Sequence, residues 1–82
     1  MTTFNFSHEA LSAIEETGCN PQADLGALVA GTQTPAALWA HCVDGADDDR
    51  LAGWRDYFSA IAIAYEGATG LAVDVAAIVG AN

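Results

Sequence analysis

The sequence predicts an all-α fold, a small bundle of four to five short helices formed as a single acidic domain over residues 1–82. Three observations carry that prediction. Hydrophobic residues make up 52% of the chain, yet alanine is the commonest of them, and alanine favours helix while burying little area. Capping residues followed by proline, and glycines placed to stop helices, recur at short intervals. One long segment carries apolar residues at alternating three- and four-residue steps, the period of one helical face. A chain of this size removes only about 60–65% of its surface from water on folding, so the core is small.

The elements follow in order. Ser7 is a good N-cap, Glu9 stands in the first turn after it, and Phe6 is placed to staple onto Leu11. Leu11 and Ile14 mark a buried face, and Gly18 closes the first helix. Ahead of it Phe4 and Phe6 alternate with polar neighbours, as a short extended arm would. In "NPQADLGALVAG" Asn20 caps, Pro21 takes the first helical position and Gly31 stops the helix, with Leu25, Leu28 and Val29 facing inward. "TPAALWAHCVDG" repeats the plan with Thr34, Pro35 and Gly45, and its apolar face is Leu38, Trp39 and Cys42. The two segments align at a spacing of 14 residues, Pro21 with Pro35 and Gly31 with Gly45. That spacing is too short for a solenoid unit and reads as two similar helices.

The fourth helix is expected to begin in "DGADDDR", with Asp47 as N-cap and Asp48 and Asp49 in its first turn. Its buried stripe is Leu51, Trp54, Phe58, Ile61 and Tyr65, and Gly67 is expected to end it. Ile63 falls opposite that stripe, beside Asp56, at about 100° per residue. An isoleucine there belongs to a helix covered on both sides or to a contact with a partner. The last segment, "LAVDVAAIVGAN", alternates like a strand at Leu71, Val73 and Val75 but fits a helix through Leu71, Val75, Ile78 and Val79. Its alanines favour a short closing helix.

Charge narrows the function. Eleven acidic residues face two basic ones, Arg50 and Arg55, for a net charge of −9, and there is no lysine. Nucleic-acid binding needs clustered Lys or Arg on phosphate, and anionic membranes repel such a chain. The expected partner is instead a basic protein or ribonucleoprotein complex, with no direct contact to nucleic acid and none to a membrane. "MTTFNFSHE" has neither a basic region nor a long apolar run, and the two cysteines fit a reducing compartment, so a cytoplasmic location is expected.

Motifs for chemistry fail on spacing. A calcium loop started at Asp44 would place Ala46 third, Asp49 sixth and Arg55 twelfth, where an acidic group, a glycine and a glutamate are required. His8, Cys19, His41 and Cys42 lack the paired spacing of a zinc site. Ser7, His8 and Glu9 hold the letters of a hydrolase triad, but consecutive residues at a helix start diverge. No glycine-rich phosphate loop is present, since no lysine follows Gly26 or Gly31. The sequence therefore predicts no catalytic residue, no metal site and no cofactor. Acyl carrier proteins share the size and acidity, but their arm attaches to a serine directly after an aspartate. Here Asp24 is followed by Leu25, and no serine follows an aspartate.

What remains is a binding role. Asp44, Asp47, Asp48 and Asp49 exceed what one helix start needs, although one or two of them have a purely structural use there. With Trp39, which stands beside Leu38 and is expected to lean partly outward, Tyr57, which flanks the stripe, and Ile63, they form the candidate partner-binding set. In length and charge across the whole chain the protein resembles the small acidic inhibitors that phages and mobile elements direct against bacterial defences, anti-CRISPR proteins among them. That resemblance implies a non-enzymatic inhibitor or adaptor, in some cases a mimic of DNA phosphates, docking on a basic surface. The alternative is a homodimeric helical module that uses Ile63 and the exposed parts of Trp39 and Tyr57, with charge serving only solubility.

Overall fold

A computed structural model describes residues 4–80. It is an all-α bundle in which five helices follow in order: α1 (His8–Thr17), α2 (Pro21–Ala30), α3 (Pro35–Val43), α4 (Leu51–Thr69) and α5 (Val75–Gly80). A single 3₁₀ turn (Asp48–Arg50) leads into α4. No strand occurs among the described residues. The closing helix expected near the end is α5, while Ala81 and Asn82 lie outside the described residues.

Local chemistry sets the starts. The Ser7 hydroxyl accepts from the Ala10 N–H at 3.2 Å, Asn20 Oδ1 from Gln22 and Ala23, and Thr34 Oγ1 from Ala37. Pro21 and Pro35 open their helices at the position where no N–H is needed. Gly18 and Gly31 stop α1 and α2 in the left-handed conformation. The end of α4 differs from expectation: Gly67 stays inside the helix, and Gly70, at φ 76°, closes it by donating to the Glu66 carbonyl at 2.7 Å. A helical glycine costs about 1 kcal/mol relative to alanine but does not by itself break the ladder.

Packing centres on α4, which touches α1, α2, α3 and α5. Tyr57, Phe58 and Ile61 of α4 and Leu38 of α3 are fully buried. Trp39 tilts over Phe58 at 5.5 Å between ring centroids, and Trp54 meets Tyr57 edge-on at 5.4 Å. Leu11 and Val29, expected inside, are instead 48% and 50% exposed. For Leu11 the reason lies in how closely α1 approaches α4. Gly53 faces the backbone of α1 so tightly that an added Cβ would stand 2.7 Å from the Glu9 carbonyl oxygen. At that separation only Ala10 and Ala13 fit between the helices, and both are buried. Phe6 stacks on Tyr57 at 5.5 Å and on Phe4 at 5.3 Å, so the arm before α1 lies over the core without forming helix or strand.

The ending of α5 is lightly held. The Asp74 carboxylate accepts from the Ala77 N–H at 3.1 Å and starts the helix. None of its residues is fully buried, and Val75, Ile78 and Val79 pack half-buried against the core.

Candidate protein-binding surface

The acidic residues sit where the chain turns from α3 into α4. Asp44 caps α3 in an extended conformation, and Gly45 then reverses the chain at φ 75°, a value few other residues adopt cheaply. The Ala46 N–H donates to the Val43 carbonyl at 3.1 Å, and its side chain packs half-buried against the core. Pinned there and at half-buried Leu51, the connection leaves Asp44, Asp47, Asp48 and Asp49 all exposed. Asp47 was expected to cap α4. It flanks the 3₁₀ turn instead: its carbonyl accepts from the Arg50 N–H at 2.9 Å, and its side chain makes no capping bond.

Arg50 follows these acids directly but does not answer them. Its Nη2 lies 2.5 Å from Glu16 Oε1 on α1, the one ion pair among the described residues. The four aspartate carboxylates make no hydrogen bond or ion pair among the described residues, so their charge faces solvent uncompensated. Like charges roughly 6 Å apart in water repel by about 0.7 kcal/mol per pair. A cationic surface relieves that repulsion. Behind the cluster lies a recess of about 440 Å³, rimmed by Glu16, His41, Asp44, Asp47 and Arg50. No group of three or more His, Cys, Asp or Glu among the described residues is arranged to hold a metal ion.

Ile63 is 73% exposed, the most open of the large hydrophobic side chains. It stands 12 residues beyond Leu51, roughly 18 Å along the helix axis, and therefore apart from the acidic turn. Beside it runs a groove of about 710 Å³ between α4 and the arm at Asn5, Phe6 and Ser7. The Ser7 hydroxyl fixes one wall by donating to Asp56 Oδ2 at 2.6 Å while accepting from Ala10.

Two expected contact residues are not available to a partner. Trp39 is 4% exposed and Tyr57 is fully buried. Trp39 was expected to share the interior with Leu38 only in part, but α3 is covered by α4 on one side and α5 on another, so both adjacent residues go inside. Tyr57 is covered by Phe6 from the arm and donates its hydroxyl to the Asp24 carboxylate of α2. The self-association reading thus keeps only Ile63 of its three residues.

Asp24 is the polar residue the sequence did not single out. Burial, then the hydrogen bond to Asp24, raises the Tyr57 hydroxyl well above its ordinary range. Burial, followed by the charges of Asp24 and Cys19, pushes the Cys42 thiol up to about 12. Cys42 is therefore protonated at neutral pH as well as buried, and neither condition suits a nucleophile. No signal in the sequence marks this cluster, because its members come from α2, α3, α4 and the turn after α1. No helix among the described residues is long and apolar enough to cross a membrane. Compared with protein-family models, with curated proteins and with solved structures, the chain matches none.

Proposed function

We propose that this protein is a non-enzymatic acidic binding domain, an inhibitor or adaptor that docks the α3–α4 connection on a basic surface of a partner protein or ribonucleoprotein complex, as an anti-CRISPR-like protein would. One observation carries the reading: four exposed carboxylates project from a pinned turn, while the adjacent arginine is held by Glu16. Charge presented in this way speeds encounter with a cationic surface and selects against anionic ones. A lysine- or arginine-lined nucleic-acid site is the kind of surface that fits.

The test is capture from bacterial lysate at low and then physiological salt, comparing the native chain with Asp47→Asn/Asp48→Asn/Asp49→Asn. The native chain is expected to retain basic proteins at low salt and to release most of them as salt rises, since exposed charges are screened beyond about 8 Å at 0.15 M. The triple variant is expected to keep its helical circular dichroism and to lose those partners. Equal retention by both chains removes the cluster from the proposal.

A further inference from the structure

The docking proposal leaves Ile63 unexplained, and the geometry around it narrows the partner. Ala52, Asp56, Ser59, Ile63 and Gly67 follow one another at steps of four, three, four and four residues. At the helical period these steps draw one line down α4. Along it Ala52, Asp56, Ile63 and Gly67 are exposed and Ser59 is half-buried. The groove against the arm follows the same line from Asp56 to Ala68, 12 residues or about 18 Å, the length of three helical turns. Its floor is small, with Ala60, Ala64 and Gly67, so a second backbone can approach closely. The line leads from Ile63 through Asp56 to the end of α4 at which Asp47, Asp48 and Asp49 project.

The charge on this face selects the occupant. Asp56 and the exposed Glu66 flank Ile63, and no Lys or Arg lines the groove. A second copy would bring another net −9 against it. A helix with lysines or arginines on one side of an apolar stripe brings the complement. We propose that this groove receives an amphipathic, basic helix of the partner, with an apolar side chain seated against Ile63 and cations reaching Asp56 and the aspartates of the acidic turn. The inference rests on the proposed docking role and adds the chemistry and shape of what docks. The acids draw the partner in, and the apolar contact sets its register.

The probe is an 18-residue peptide, about five helical turns, with leucines along one face and lysines elsewhere, titrated into the isotopically labelled full chain and followed by amide shifts. Three comparison peptides carry serine for leucine, glutamate for lysine, or lysine alone. The leucine–lysine peptide is expected to move amides along residues 56–68 as well as 44–50. Ile63→Ser is expected to weaken binding about tenfold, the loss of one apolar anchor, and the serine peptide, which loses its whole apolar face, by at least as much, while Ile63→Leu keeps it. Because Ile63 is exposed, the Ser variant is expected to melt like the native chain. Shifts confined to residues 44–50, or affinity indifferent to both Ile63→Ser and the leucines, overturn the groove but leave the acidic docking proposal standing. Failure of the lysine-only peptide to bind as well overturns both. Equal binding of the glutamate peptide overturns the choice of a basic occupant, and self-association abolished by Ile63→Ser assigns the groove to a second copy.

Discussion

Cys42 and Tyr57 show how single residues answer to neighbours far away in sequence. Each buries an acidic proton donor near the Asp24 carboxylate, and in each burial is the largest cause of a raised pKa. The sign of the consequence follows from linkage. The Cys42 thiol has an ordinary value of 9.0 and a folded value of about 12, so below pH 9 both folded and unfolded chains hold the proton and stability is unaffected. Between those two values the unfolded chain ionises first, and the fold loses up to about 1.4 kcal/mol per pH unit. Under reducing conditions, the urea midpoint is therefore expected to hold steady to about pH 9 and then fall. Cys42→Ala should flatten the first part of that fall while lowering stability at neutral pH. An unaltered alkaline slope in the variant would assign the loss elsewhere.

At the scale of elements, what is local in the sequence is legible there and what depends on a neighbour is not. Ser7, Asn20 and Thr34 were readable as caps because each serves N–H groups two or three residues away. The α4 stripe was readable because Trp54, Phe58 and Ile61 share one face whatever covers it. The inward positions of Ala10 and Ala13, and the outward one of Leu11, depend on how near α4 comes to α1, which no periodicity records. The candidate site divides the same way. The exposed aspartates and Ile63 follow from charge and helical phase, whereas Trp39 is buried against Phe58 of α4 and Tyr57 lies under Phe6 of the arm, neighbours distant in sequence. The close crossing of α1 and α4 can be tested with two glycines of opposite expectation. Gly53→Ala drives a methyl into the Glu9 carbonyl and is expected to cost about 1–3 kcal/mol. Gly67→Ala, helical with open space around it, is expected to add about 0.5–1 kcal/mol. Denaturant midpoints of the two variants moving in the same direction would contradict this account.

For the whole molecule, net charge outweighs pairing. One exposed ion pair contributes roughly 0–1 kcal/mol, whereas a net charge of −9 on 82 residues repels itself throughout the fold. Adding salt weakens both, and the second is larger. The melting temperature is therefore expected to rise between low salt and about 0.5 M sodium chloride, where the screening length falls below 8 Å. A melting temperature that drops on adding salt would mean that specific ion pairing, not self-repulsion, dominates.

The Glu16–Arg50 contact also bears on orientation during encounter. With that guanidinium engaged, Arg55 is the one cation without an ion pair among the described residues. An approaching cationic body therefore feels attraction from nearly every direction, a pull that is fast but poor at choosing an angle. Alignment then has to come after arrival, from short-range fit, the part that the proposed groove along the longest helix would play.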